Sequence, residues 1–208
     1  MSTTLEQRRP ILLQLGFREA ALPQLQSYLD LLWSANEELN LISRKMTFDD
    51  LIDNHVIDCL LPLRHFPTDV KAVADFGSGG GLPGVLYAIQ FPDVRFELFE
   101  KSKLKQEFLR RATAIAPNLK VNADIPPRLP EIDLVTARAF KPIDVILQLS
   151  RAHAVQGGRY FLLKGRLEKI EEELRDARKI AKDVKTRIEI LKSPVLDVER
   201  HLVLIGGA

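Results

Sequence analysis

Val73-Ala74-Asp75-Phe76-Gly77-Ser78-Gly79-Gly80-Gly81-Leu82-Pro83-Gly84 is the most informative segment of the chain. A short apolar run ends in an acid, passes through a glycine cluster and leaves through a proline, a residue suited to the first turn of a helix. Glycine permits backbone angles and close approaches that a Cβ would block. The helix start offers free N–H groups and the positive end of a dipole. The order strand, glycine turn, helix therefore predicts a site for a nucleotide-type cofactor.

The overall composition is ordinary for a globular protein. The chain has 208 residues, of which 46% are hydrophobic and 28% charged, and its net charge is +2. This length allows one domain with a small appendage, and the modest charge does not by itself demand a nucleic-acid partner. The lone Cys59 excludes an internal disulfide and suits a reducing compartment. No apolar run approaches the roughly 20 residues that span a bilayer, and the N-terminus lacks a signal-peptide core. We therefore expect a cytoplasmic protein without a membrane segment.

Residues 1–67 are predicted to be helical. Thr47 and Asp50 fit a capping box at the start of a second helix. In the first long helix, leucines recur at spacings of three, four and seven, which places them on one helix face that we expect in the core. They are Leu22, Leu25, Leu29, Leu32 and Leu39. Pro67 breaks the pattern, so the sequence predicts a helical segment at 1–67 and a main domain at 68–208.

From about residue 70 onward, predicted strands alternate with predicted helices. We expect strands at 72–76, 94–100, 119–123, 132–137, 160–163, about 184–192 and 200–206. Helices are expected at 83–91, at 143–149 and at 167–181. A further helix is expected to begin after a cap at Ser102, with Leu104 and Phe108 on its apolar face. Alternation of this kind predicts an α/β fold with a mostly parallel sheet covered on both faces. The last two strands have no helix between them, which indicates an antiparallel hairpin.

Charged residues follow the ends of the predicted strands, where open α/β sheets bind ligands. Asp75 and Glu100 stand at the ends of the first and second predicted strands, Asp124 follows the third, and Arg138 and Lys164-Gly165 follow the next two. Glu100 lies nineteen residues beyond Gly81, close to the offset of about 20 at which an acid meets ribose hydroxyls. A carboxylate there can accept from both the 2′- and 3′-hydroxyls, so Glu100 is predicted to select a nucleoside.

The glycine spacing fits two kinds of enzyme. Gly77-x-Gly79-x-Gly81 is typical of S-adenosylmethionine-dependent methyltransferases, whereas Gly79-x-Gly81-x-x-Gly84 also satisfies the dinucleotide fingerprint. The tandem strands at the end of the chain and the acid directly before the turn favour a methyltransferase. A nicotinamide-dependent oxidoreductase remains open, although no His, Tyr or Lys grouping suggests its catalytic residues.

The other candidate functional residues have weaker support in the sequence. A basic run beside the predicted cofactor site fits either an ordinary solvated helix face or a phosphate-binding surface: Lys101, Lys103, Lys105, Arg110 and Arg111. His55 and Cys59 are predicted to be structural. No residues have the spacing of a metal site, and no Ser–His–Asp arrangement can be named, so we expect no metal and assign no catalytic residue.

Several of these motifs together resemble one known family, the ribosomal RNA small subunit methyltransferase G family. The resemblance rests on residues 75–84, Thr136-Ala137-Arg138-Ala139-Phe140, Lys164-Gly165 and Glu199-Arg200-His201-Leu202-Val203. Asn40-Leu41-Ile42-Ser43 and His55-Val56-Ile57-Asp58 are also similar, so it spans nearly the whole chain. It implies a Rossmann-like, seven-stranded class I methyltransferase sheet with a small N-terminal helical extension. It also implies methylation of guanine N7 at one guanosine of 16S rRNA.

The resemblance further implies site residues and partners. Its cofactor contacts carry over to Gly77, Leu82, Ala123-Asp124 and Arg138. The glycine turn and the strand-end acid add Gly79, Gly81 and Glu100 to the predicted cofactor site. The basic run at 101–111 would hold RNA phosphates together with Lys164 and Arg166. S-adenosyl-L-methionine is the expected cofactor, and 16S rRNA or the small ribosomal subunit is the expected partner of a monomeric enzyme. The sequence departs from the family pattern at Cys59 and Thr136, where serine is usual, and at Asp124, where glutamate is common. A non-catalytic RNA-binding or assembly protein is the other alternative.

Overall fold

Helices form the first part of the chain. The computed structural model describes residues 3–182 and 185–207. Helix α1 (Thr3–Gln14) and the long α2 (Leu22–Leu39) are followed by α3 (Phe48–Leu51), a wide helical segment at Ile52–Ile57 and α4 (Asp58–Leu60). The predicted capping box is confirmed, because the Thr47 side chain accepts from Asp50 N and the Asp50 carboxylate accepts from Thr47 N. The second helix is not a regular α-helix as predicted, since Ile52–Ile57 is wound as a π-helix.

A sheet follows, built from β1 (Ala72–Phe76), β2 (Arg95–Phe99), β3 (Leu119–Asn122), β4 (Leu134–Arg138), β5 (Arg159–Lys164), β6 (Thr186–Leu191) and β7 (Arg200–Ile205). In the described residues the sheet has seven strands in the order β3-β2-β1-β4-β5-β7-β6. The first five strands are parallel, and β7 runs antiparallel to both β5 and β6. The connecting helices are α5 (Gly84–Gln90), α6 (Lys103–Ala112), α7 (Ile143–Leu149), α8 (Arg151–Val155) and α9 (Leu167–Ala177).

The predicted α/β class and the antiparallel terminal hairpin are confirmed. Residue 184, where the sixth strand was expected to begin, lies outside the described residues, and β6 begins at Thr186. The prediction for the start of α6 is wrong in two details. Ser102 makes no side-chain cap, and its backbone N–H instead donates to the Glu100 carboxylate at 2.8 Å. Leu104 is 58% exposed, because the first turn of α6 extends past the core that buries Phe108.

The core lies on both faces of the sheet, as the alternation of side chains along β1 requires. Val73 packs in the cluster that contains Leu25 of α2, whereas Ala74 and Phe76 pack in a second cluster with residues of α7 and α9. Because the first cluster combines side chains from before and after residue 67, the two segments share a core. The division at 67/68 stays a prediction as a domain boundary. None of the described helices is long and apolar enough to cross a bilayer.

Candidate active site

The glycine turn after β1 is held against the end of β2. Gly77 N and Ser78 N both donate to Phe99 O, at 2.9 and 3.2 Å. Gly77 has a φ of +70°, and a Cβ at this position would lie 2.1 Å from the ring of Phe140. Gly79 has a φ of +56° but only one backbone atom lies near its missing Cβ, at 3.8 Å. The turn therefore needs glycine for conformation at both positions, and it presents open backbone at Gly79.

Glu100 stands directly after β2 with its carboxylate fixed by two backbone donors. Oε2 accepts from Gly79 N at 3.0 Å, and Oε1 accepts from Ser102 N at 2.8 Å. Each carboxylate oxygen can accept more than one hydrogen bond, so both oxygens keep acceptor capacity for a ligand. The glycine turn thus orients the acid that the sequence predicts to bind ribose hydroxyls.

A cavity of about 600 Å³ opens beside this turn, within the range of about 300–1,000 Å³ that small-ligand sites occupy. It brings together most of the predicted cofactor residues: Gly77, Gly79, Leu82, Glu100, Ala123 and Arg138. Gly81 does not line it, because a Cβ there would lie 2.5 Å from Val85 Cγ2 beneath the turn. Asp124 is exposed and lines a neighbouring open cleft instead. Their contacts to a cofactor stay predictions.

Asp75 lies beneath the turn and is 1% exposed. Neither of its carboxylate oxygens accepts a hydrogen bond from another described residue. Burial raises the pKa of Asp75 to about 7, although Ser78 and the positive charge of Arg138 act against that rise. A Cβ on Gly84 would lie 2.6 Å from Asp75 Oδ2, so the last glycine of the motif is required by the packing of this acid.

Arg138 joins three distant parts of the chain at the edge of the cavity. Its Nη1 donates to Asp58 Oδ2 at 3.2 Å, and its Nη2 lies 2.9 Å from His55 Nδ1. Asp58 Oδ1 accepts in turn from Arg200 Nε at 2.5 Å. Because a guanidinium only donates, His55 must accept through Nδ1 and carry its proton on Nε2. Burial, together with the charge of Arg138, lowers the pKa of His55 to about 4, so the ring is neutral near pH 7.

The N-terminal segment forms one wall of the cavity, which the sequence analysis missed. Residues 40–46 follow α2, and four of them line the cavity together with His55: Leu41, Ile42, Ser43 and Met46. Buried Asn36 fixes this loop by accepting from Ile42 N at 2.8 Å. Leucine spacing identified the core face of α2, but no periodic pattern marks a loop. The signal in the sequence is the family-like segment Asn40-Leu41-Ile42-Ser43, which overlaps this loop.

The predicted RNA-binding residues have different surroundings. Lys101 and Lys105 line the cavity, whereas Lys103, Arg110, Arg111 and Arg166 are exposed elsewhere. Lys164 donates to Glu173 Oε2 at 2.8 Å and to Lys141 O at 2.9 Å, so one N–H remains for another partner. The loop at 40–46 adds Arg44 and Lys45, both exposed. Neither makes an ion pair within residues 3–182 and 185–207.

Two of the three departures from the family pattern, Cys59 and Thr136, are accommodated in the core of the fold. Cys59 is fully buried, and burial raises the pKa of its thiol to about 12, so it acts as a small apolar side chain. Thr136 is also buried, and its hydroxyl donates to Phe161 O at 2.9 Å. Within the described ranges, no three acids, histidines or cysteines are grouped as a metal site would require.

Comparison with known proteins identifies the family. The family model for rRNA small subunit methyltransferase G matches residues 21–203. The chain belongs to the rRNA small subunit methyltransferase G family. Ribosomal RNA small subunit methyltransferase G 1 of Bdellovibrio bacteriovorus is 69% identical over 205 residues, covering 99% of this chain and all of that protein. Ribosomal RNA small subunit methyltransferase G of Brachyspira hyodysenteriae is 38% identical, covering 88% of this chain and 89% of its own.

Solved structures confirm the fold of this methyltransferase G family member. A predicted O-methyltransferase from Agrobacterium tumefaciens superposes with a TM-score of 0.57 at 22% identity, over 73% of this chain and 81% of its own. A precorrin-6y methyltransferase from Geobacter metallireducens superposes with a TM-score of 0.53 at 13% identity, over 72% of this chain and 87% of its own. These similarities support the Rossmann-like class I methyltransferase sheet. Together with the family match they confirm the methyltransferase prediction, and the oxidoreductase alternative is not favoured.

Proposed function

We propose that the protein transfers a methyl group from S-adenosyl-L-methionine to N7 of a guanine in 16S rRNA. The proposal is carried by 69% identity to ribosomal RNA small subunit methyltransferase G 1 over 99% of this chain, together with a cavity lined by most of the expected cofactor residues. We further propose that it acts as a monomer in the cytoplasm, without a metal ion. We propose that its substrate is either the free rRNA or the small ribosomal subunit.

The residues of the cavity fit the cofactor. We assign the ribose hydroxyls to Glu100, whose two oxygens are oriented by Gly79 and Ser102. Open backbone at Gly79 and the apolar side chains of Leu82 and Ile125 provide surfaces for the rest of the molecule. Bound there, S-adenosyl-L-methionine would supply an electrophilic methyl group whose C–S bonding pair returns to sulfur. The segment at 1–67 contributes a wall to this cavity, so we propose that it is required for cofactor binding.

The chemistry of the acceptor explains why no general base is found. Guanine N7 carries an in-plane lone pair and no proton at neutral pH, so it can form the new N–C bond directly and no proton leaves. Neutral His55 and the ion-paired Arg138 are therefore not needed to accept a proton. The protein contributes by orienting the two reactants and by excluding water from the reacting atoms.

RNA contact is assigned to basic residues, two of which, Lys101 and Lys105, line the cofactor cavity. We propose that phosphates are held by Lys101, Lys103, Lys105, Arg110, Arg111 and Arg166, with Arg44 and Lys45 added from the loop at 40–46. Such contacts position RNA without reading its sequence, and they weaken as salt rises. Lys164 was predicted to share this role, and its remaining N–H permits it, but its ion pair with Glu173 supports the different assignment given below.

Methyl transfer to rRNA tests the proposal. Purified protein is mixed with methyl-labelled S-adenosyl-L-methionine and small-subunit rRNA that lacks modifications, and the product nucleosides are identified by mass spectrometry. We expect label in N7-methylguanosine at a single position. RNA binding without transfer would instead support the non-catalytic alternative, and label on another atom or in protein would refute the proposed acceptor.

A further inference from the structure

A second cavity adjoins the proposed cofactor cavity. It has a volume of about 410 Å³ and lies at the carboxyl ends of β4 and β5. Arg138, Ala139 and Phe140 line both cavities, so the two spaces adjoin at this short segment. Methyl transfer needs the acceptor atom within about 3–3.5 Å of the methyl group, so an acceptor in the second cavity has to reach the donor where the two spaces adjoin, beside these three residues. The segment includes an aromatic ring, a type of surface on which nucleic-acid bases stack.

Glu173 offers this second cavity a fixed acceptor. Its side chain is 10% exposed and comes from α9. Oε2 accepts from Ile143 N at 3.0 Å and from Lys164 Nζ at 2.8 Å, which fixes the carboxylate. Oε1 has no hydrogen-bond partner anywhere in the described part of the chain. The carboxylate therefore has one oxygen committed to protein donors and one available to a ligand, in a cavity that it lines.

Purine bases differ in what they present to such an oxygen. The N1 and N2 edge of guanine carries two donors, N1–H and the amino group. The corresponding edge of adenine has an acceptor at N1, which a carboxylate repels. A fixed, largely shielded acceptor therefore discriminates between the two bases, because the wrong base leaves charged or polar groups unpaired.

We propose that the second cavity receives the target guanine and that Glu173 reads its N1 and N2 edge through Oε1. This inference rests on the proposed function and names the residue that selects the base. In a purine, N7 lies on a different edge of the fused ring from N1 and N2, and the proposed pose directs N7 towards the segment that lines both cavities. Lys164 is then a positioning residue, which holds the carboxylate by its ion pair while donating to Lys141 O.

Replacing the target guanosine by inosine tests the contact, because inosine keeps N1–H and lacks the N2 amino group. Once the wild-type reaction has identified the methylated nucleotide, RNAs with guanosine or inosine there are assembled by ligation. For the wild-type protein we expect kcat/KM to fall roughly tenfold or more with inosine, the size of one hydrogen bond to a charged group. For Glu173→Gln we expect lower activity on guanosine and at most about a twofold difference between the two RNAs.

The control is Glu172→Gln, which removes a charge from the same helix at an exposed ion pair with Lys169. It should keep the wild-type preference for guanosine. Lys164→Met should reduce that preference while leaving the affinity for S-adenosyl-L-methionine, measured by calorimetry, unchanged. An undiminished guanosine preference in Glu173→Gln would overturn the inference, as it would show the ion pair to be only structural. Absence of transfer by the wild-type protein would instead overturn the proposed function.

Discussion

Gly77 shows how a single hydrogen atom in place of a side chain shapes the site. The positive φ of +70° is strained for other residues, and Phe140 occupies the space that a Cβ would need. The ring therefore packs directly on the turn that lies between β1 and the cofactor cavity. Since Phe140 also lines the second cavity, this contact fixes the position of the wall that both cavities share.

Gly77→Ala is expected to weaken both folding and cofactor binding. The left-handed conformation and the overlap with Phe140 should together cost about 2–4 kcal/mol of unfolding free energy. Displacement of the ring or the turn should also lower the affinity for S-adenosyl-L-methionine, measured by calorimetry. Gly157→Ala is the control, because its φ is +78° but nothing lies within 4 Å of the missing Cβ. Gly157→Ala should lose about 1–2 kcal/mol of unfolding free energy and bind S-adenosyl-L-methionine with the wild-type affinity. Equal affinities in all three proteins would contradict the account.

Asp75 should make stability depend on pH. Its pKa is about 7 in the folded protein and about 4 in an unfolded chain. The folded state therefore binds more protons than the unfolded state between these values, and stability is lost as pH rises from about 4 to about 7. His55 acts in the opposite sense, because its folded pKa of about 4 lies below its unfolded value.

Asp75→Asn isolates the contribution of this acid. Its unfolding free energy relative to wild type, from urea titrations, should rise by about 3–4 kcal/mol between pH 4 and pH 8, since the amide does not ionise. Because His55 is present in both proteins, its contribution cancels in the difference. A difference that stays constant across this pH range would show that Asp75 is ionised in the folded protein throughout.

At the scale of elements, two of the segments that line the cofactor cavity are far apart in sequence. The loop at 40–46 follows α2, and the start of α6 follows β2. Both segments line the cavity and both carry cations. Arg44, Lys45 and Lys103 make no ion pairs within the described ranges and do not themselves line the cavity. They are therefore free to contact a large anionic partner without touching the cofactor.

Replacing Arg44, Lys45 and Lys103 by glutamine should weaken RNA binding and leave cofactor binding unchanged. The slope of the logarithm of the RNA association constant against the logarithm of salt concentration should shrink by up to about 2–3. The control replaces Lys169, Lys179 and Arg187, exposed cations that each have an acidic partner. This variant has the same net charge and should bind RNA almost as wild type does. Equal weakening in both variants would mean that only total charge matters.

The strands of the sheet could be predicted because each has a local signal. Apolar runs bounded by turn residues mark β1 and β5, and the lack of a helix between β6 and β7 indicated the antiparallel pairing that the structure shows. The π-helical winding at Ile52–Ile57 has no comparable signal. Nor does the exposure of Leu104, since a helical apolar pattern does not show where the core ends.

At the scale of the whole molecule, the site depends on contacts that no local pattern reveals. Asp58 accepts from Arg138 and from Arg200, which are 80 and 142 residues away in the chain. His55 and Arg138 are 83 residues apart. Sequence could identify Glu100 and the glycine turn, because strand ends of a parallel sheet meet at one edge. It could not show that the N-terminal helical segment reaches this edge, and the fold supplies that contact.

The central claim is that the cavity beside the glycine turn binds S-adenosyl-L-methionine through Glu100. Calorimetric titration of the wild-type protein and of Glu100→Gln tests it most directly. Glu97→Gln serves as the control, since Glu97 lies on β2, the strand that Glu100 directly follows, and pairs with Arg95 and Lys120. We predict that Glu100→Gln binds S-adenosyl-L-methionine roughly 10–100-fold more weakly than wild type, that the control is unchanged and that NADH does not bind. Unchanged affinity in Glu100→Gln, or binding of NADH in place of S-adenosyl-L-methionine, would contradict this account.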